Sequence, residues 1–145
     1  MDIETILARK GSEVRTIRGE QTVGDALRSL RKLRISALVV STDGRAIEGI
    51  VSDRGIMNIL VDQGVRVLER PLREMMTHEV VTCSPSDPVT AIMAVMTERR
   101  IRHIPVVDGA GMLCGIVSIG DLVKHRLDEI QLEADAMREY ITGSR

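Results

Sequence analysis

The tetrapeptide Gly-Ile-Val-Ser occurs twice, at 49–52 and 115–118, and the 66-residue displacement between the copies constrains this chain more than any other feature. Held at that displacement without gaps, Glu13, Val14, Thr16, Val23, Arg34, Ile35 and Val40 meet identical residues at Glu79, Val80, Thr82, Val89, Arg100, Ile101 and Val106. Conservative pairs fill the spaces, among them Leu27 with Met93, Leu38 with Ile104 and Ile56 with Leu122. Self-similarity at a fixed period decides the fold before any local pattern does. The chain is a tandem duplication.

Each unit reads in the same order. A short strand (14–17; 80–83) leads into a polar turn that carries Pro85 and Pro88 in the second copy. Apolar residues at helical spacing follow: Val23, Ala26, Leu27, Leu30 and Leu33, then Val89, Ile92, Met93 and Met96. Two strands come next, around Asp43-Gly44 in one copy and Asp108-Gly109 through Gly111 in the other. A closing helix begins after Ser52 or Ser118. Ser118 stands at an N-cap with Asp121 in the first turn, so free N–H groups and the helix dipole favour an anion there. Asp121 can accept hydrogen bonds from two neighbouring hydroxyls, as on a ribose. The same pair is also an ordinary way to begin a helix.

Outside the repeats, Ile3, Ile6, Leu7 and Lys10 suggest a short N-terminal helix ended by Gly11, and Leu72 to Met76 reads as a matching turn in which Met76 aligns with Lys10. Arg28, Arg31, Lys32 and Arg34 crowd the end of the first unit's helix, where cations complement the dipole. Leu127, Ile130, Ala134, Met137 and Ile141 recur at spacings of 3 and 4, a heptad-like seam that either pairs with a second copy or packs on the N-terminal helix.

Several function classes are excluded or disfavoured. A net charge of −1 gives no bulk attraction to nucleic acid or anionic lipid. No apolar run approaches the roughly 20 residues that span a bilayer, and the acidic start Met1-Asp2-Ile3-Glu4 does not resemble a secretory signal. A cytoplasmic protein is expected. With no Trp or Phe and one Tyr, Tyr140, a bound base must be held between aliphatic side chains. Cys83 and Cys114 fall in strand patterns and read as buried thiols; His78, His103 and His125 lack metal-ligand spacing. Enzyme motifs are absent.

The β-α-β-β-α unit, with a Pro-Val-Val-Asp run before the turn in the second copy and Gly-Ile-Val-Ser-x-x-Asp after it, resembles the cystathionine-β-synthase (CBS) domain. Two in tandem resemble a CBS pair, or Bateman module, over residues 8 to 127. The resemblance implies an α/β (α+β) fold in which the repeats pack about a pseudo-twofold axis, with flanking terminal helices. The expected divisions are repeat 1 with the N-terminal helix (1–68), repeat 2 (69–127) and a helical extension (128–145). It implies two clefts, each combining the Ser-x-x-Asp of one repeat with the linker and middle strand of the other. The first would join Ser118, Asp121 and Ile116 to Lys10, Ile35, Ser36 and Ala37. Asp121 would hold the ribose, Ser118 the phosphate or sugar, and Ile35, Ala37 and Ile116 the adenine. The second would join Ser52, Asp53 and Arg54 to Thr77, Val81, Arg102, His103 and Ile104. Gly55 stands there in place of Asp121, so weaker binding is expected, or phosphates alone.

Two function classes follow. One is a regulatory module that binds an adenosine nucleotide (AMP, ADP, ATP, or an adenosyl ligand such as S-adenosylmethionine or NAD), with no obligatory cofactor, and is read by a regulated partner protein. The other is an interaction protein with vestigial sites that acts through dimerisation. A homodimer is expected in either case.

Overall fold

The computed structural model describes residues 1–143. Helix α1 (Ile3–Lys10) is capped by the Asp2 side chain on the Thr5 N–H and ends at Gly11, φ 99°. Strand β1 (Thr16–Ile17), helix α2 (Val23–Leu33), strands β2 (Ala37–Val40) and β3 (Gly49–Ser52) and helix α3 (Asp53–Gln63) form the first repeat. A 3-10 turn (Val65–Glu69) and the short helix α4 (Leu72–Met75) lead to the second. There, α5 (Val89–Arg99), β4 (His103–Val107), β5 (Leu113–Ser118) and α6 (Ile119–Ile141) repeat the order. The tandem duplication and its mixed α/β class are borne out, with the leading strand as the exception.

In the first repeat β2 lies between β1, parallel, and β3, antiparallel. In the second, β4 and β5 form the antiparallel pair, and the leading strand shrinks to one bridge, Cys83 to Val106. Expected as four residues, it is lost because Pro105 stands where the first repeat has Val39. Without an N–H, Pro105 cannot donate to a neighbouring strand.

Alternation along β2 sends Leu38 and Val40 into the first core and Ala37 and Val39 to the opposite face; all four are buried, so both faces are covered. That core also holds Ile17, Val23, Leu30, Val51 and Ile56, and the second holds Val89, Ile92, Met96, Ile104, Val117 and Leu122.

Chain order and core membership do not coincide. Ile3 and Ile6 of α1 belong to the second repeat's core, whereas Leu72 and Met76 belong to the first. The repeats therefore exchange their leading helices. The backbone shows the exchange twice: Ile3 N–H donates to Asp87 O and Glu4 N–H to Pro85 O, while Leu72 N–H donates to Gln21 O and Arg73 N–H to Gly19 O.

These equivalent bonds match Leu72 with Ile3, an offset of 69 rather than 66. The expected alignment of Met76 with Lys10 is thereby corrected: Met76 is the counterpart of Leu7. The two glycines that open Gly-Ile-Val-Ser agree. A Cβ on Gly49 would collide with Met76 Sδ, and one on Gly115 would lie 2.8 Å from Leu7 Cδ1. Glycine is needed at both because the exchanged helix rests on the strand backbone. The longer α1 then carries one further turn, ending in Lys10, that α4 lacks.

Beyond the repeat, α6 runs on to Ile141, with Leu127, Ile130, Met137 and Ile141 exposed. It meets α1 through Lys10 with Asp121 at 2.7 Å and Arg9 with Asp128 at 3.9 Å. The N-terminal helix does not cover the seam. The last two residues of the expected 128–145 extension lie outside the described residues.

Candidate functional site

Each cleft is built where a Gly-Ile-Val-Ser strand hands over to a helix. Ser118 caps α6 by accepting from the Asp121 N–H at 3.1 Å, and Asp121 Oδ2 accepts from the Ser118 N–H at 2.8 Å. This reciprocal box fixes the carboxylate beside the helix N-terminus. The extra turn of α1 brings Lys10, whose Nζ donates to Asp121 Oδ2 at 2.7 Å and to Ile116 O at 2.9 Å. The residues that meet here are 106 and 111 positions apart in the chain. In the other repeat Ser52 caps α3 through the Gly55 N–H at 3.0 Å. Gly55 stands where the second repeat has the Asp121 carboxylate, and Ile50 pairs with the Thr77 backbone instead of with a lysine.

The starts of β2 and β4 form the shared wall. Ser36 Oγ and His103 Nε2 lie 3.1 Å apart, and Arg102 Nη2 donates to Asp53 Oδ1 at 2.9 Å. Both pairs join one repeat to the other. Two opposed effects act on Asp121: burial raises its carboxyl, but the Lys10 and Ser118 hydrogen bonds outweigh it and leave it below the ordinary aspartate value. Burial, helped by the Arg102 charge, lowers His103, so its imidazole is neutral at pH 7. Burial pushes the Cys83 thiol up to about 12, which leaves it unreactive; Cys114 is only half-buried, contrary to expectation.

The first cleft encloses about 430 Å³, and Lys10, Ile35, Ser36, Ala37, Ile116, Ser118 and Asp121 all line it. The second encloses about 370 Å³ and is lined by Ser52, Arg54, Gly55, Thr77, Val81, Arg102 and His103. Two residues expected in the second cleft stand elsewhere. Ile104 is fully buried in the second core, because alternation along β4 turns it away from the face that shows His103. Asp53 is not part of the lining and acts through its ion pair with Arg102.

Sequence reasoning missed Glu13, Arg15 and Arg34 in the first cleft and Glu79 and Arg100 in the second. The repeat itself carried a signal for them: Val81 was assigned to one cleft, and its partner at the 66-residue offset, Arg15, lines the other. Ala37, Arg102 and His103 line both clefts. Among the described residues no group of side chains could hold a metal ion, and no helix is long and apolar enough to cross a membrane.

Comparison with known proteins places this geometry. A CBS-domain protein of Agrobacterium tumefaciens superposes with a TM-score of 0.82 at 35% identity, over 87% of this chain and 99% of that one. A signal-transduction protein with CBS domains, described as putative, from Burkholderia ambifaria gives 0.81 at 37% identity, over 88% and 95%. The mitochondrial CBS domain-containing protein of Arabidopsis thaliana is 36% identical over 128 residues, which are 86% of this chain and 62% of that protein's length. The CBS domain model matches residues 6–62 and again 72–128. Both matched segments begin inside an exchanged helix and end inside a closing one, so the chain belongs to the CBS-domain family, as a tandem pair of CBS domains.

Proposed function

We propose that this chain is a regulatory sensor, not an enzyme, that binds an adenosine nucleotide in the first cleft. Occupancy changes the packing of the two repeats, and a partner protein reads the change. One observation carries this reading. Asp121 Oδ2 is held by Lys10 and the Ser118 N–H, while Oδ1 has no hydrogen-bond partner among the described residues, and Ile35, Ala37 and Ile116 line the same cleft. An anchored carboxylate with a free oxygen, in a cleft that also presents aliphatic side chains, suits a ribose with a base beside it. A CBS domain protein of Pyrobaculum aerophilum, 25% identical with a TM-score of 0.76, is known in complex with AMP, and this supports the same ligand class here.

In this reading Asp121 binds the ribose hydroxyls, Ser118 the phosphate or sugar, and Ile35, Ala37 and Ile116 clasp the adenine. The second cleft, with Gly55 for the carboxylate and Thr77 for the lysine, binds more weakly. One tyrosine and no tryptophan leave the protein little absorbance at 280 nm, so a copurified nucleotide should dominate its ultraviolet spectrum. Mass spectrometry of the released ligand, then calorimetry on stripped protein with adenosine, AMP, ADP and ATP, tests the reading. If none of them is released or binds, it fails.

We also assign self-association to α6. Leu127, Ile130, Met137 and Ile141 are each about half exposed or more and remain uncovered within the chain, which leaves a helical stripe that a second copy can bury. Light scattering at tens of micromolar should give a dimer. Truncation after Leu127 should shift it to a monomer; an unchanged dimer would place the interface elsewhere.

A further inference from the structure

Both repeats end their first helix on an arginine in the left-handed conformation: Arg34 at φ 56°, ψ 44°, and Arg100 at φ 55°, ψ 43°. Among the described residues these are the two non-glycine positions with positive φ. Glycine adopts this conformation without steric cost and is the common residue there. Backbone geometry therefore does not explain arginine at either position. Ion pairing does not explain it either. Lys10, Arg15 and Arg102 each face a carboxylate, on Asp121, Glu13 and Asp53. Among the described residues neither Arg34 nor Arg100 has an ion-pair partner. Each nevertheless lines a cleft, Arg34 the first and Arg100 the second.

We infer that the ligand of the first cleft is an adenosine di- or triphosphate, with the Arg34 guanidinium receiving the phosphates beyond the first. The inference rests on the first cleft being an adenosine-nucleotide site. A single phosphate is already served by the Ser118 hydroxyl and the N-terminal end of α6. That leaves the one uncommitted guanidinium of the cleft in surplus for a monophosphate. A planar fork of N–H donors matches phosphate oxygens in pairs, and a site whose other cations are tied to carboxylates holds Arg34 free to do so. The cleft's cations, Lys10, Arg15, Arg34 and Arg102, outnumber the carboxylates of Glu13 and Asp121 although the whole chain is net negative.

The test is calorimetry with adenosine, AMP, ADP and ATP, without magnesium, on the wild-type chain, Arg34→Gly and Arg34→Lys. Wild type should bind ADP and ATP about tenfold or more tightly than AMP. Arg34→Gly should abolish that gain, so that ADP and ATP bind no more tightly than AMP. Its thermal midpoint should equal or exceed the wild-type value, since glycine suits the positive φ. Arg34→Lys, which keeps charge without the fork, should fall between. Equal affinity for AMP and ATP in the wild type, or a polyphosphate preference that survives Arg34→Gly, overturns the inference alone. If none of the four ligands binds, the nucleotide-site reading fails and the inference fails with it.

Discussion

Asp121→Ala should weaken adenosine-nucleotide binding by about 10- to 100-fold. Hydrogen bonds to a charged group contribute roughly 1.5–3 kcal/mol, and each 1.4 kcal/mol is about tenfold in affinity. The alanine variant also removes one of the two partners of the Lys10 ammonium, Asp121 Oδ2 at 2.7 Å, and leaves it on Ile116 O at 2.9 Å. Asp121→Asn keeps the shape of the helix cap but loses the charge, and should fall between. Gly55→Asp is the converse experiment. Gly55 has no positive φ, and an added Cβ would lie 3.1 Å from Ser52 Oγ, a tight approach that a small shift of the hydroxyl relieves. A second, weaker site should appear in calorimetry, weaker because Thr77 offers no ammonium to orient the new carboxylate. If Asp121→Ala binds as well as wild type, recognition does not run through this motif, and a vestigial pair acting through dimerisation becomes the better account.

Ile3→Ala should destabilise the protein by about 2–5 kcal/mol, the usual cost of emptying a fully buried aliphatic site. That is a large share of the roughly 5–15 kcal/mol that holds a domain of this kind together. Ile3 is fully buried in the second repeat's core although it precedes the first repeat in the chain. Its N–H is bonded to Asp87 O, and Val89 N–H donates to Met1 O, so the helix is tied to the second repeat by backbone as well as packing. Urea denaturation should show the loss. Hydrogen exchange should locate it: the amides of Val106 and Val117 should lose protection before those of Val40 and Val51. Earlier loss in the first repeat would contradict the exchange of leading helices.

Local chemistry made much of the chain legible in advance. The 3.6-residue spacing of α2 and α5, the glycine after α1 and the serine caps of α3 and α6 depend on neighbours within a few positions, and each stands where the pattern put it. The 66-residue offset carried the same elements from one repeat to the other. It could not register the loss of the second leading strand, because that depends on Pro105, a residue on another strand, having no N–H to donate to it; the bridge from Cys83 to Val106 is what remains. Ile104 was misplaced for a related reason: the motif names a strand, but only the strand's orientation says which alternate residues face the cleft.

The sequence by itself determined that there are two like units, that each closes with a capped helix, and that one carries a carboxylate where the other has glycine. Those are properties of residue identity at fixed spacing. The tertiary structure alone decided which core each leading helix enters. It also decided that α1 is one turn longer than α4 relative to that core, so Lys10 reaches Asp121 from 111 residues away while Met76 takes the place of Leu7. A gap-free comparison cannot see a three-residue difference in a linker. Packing can, because Gly49 and Gly115 admit only the residue that rests on them.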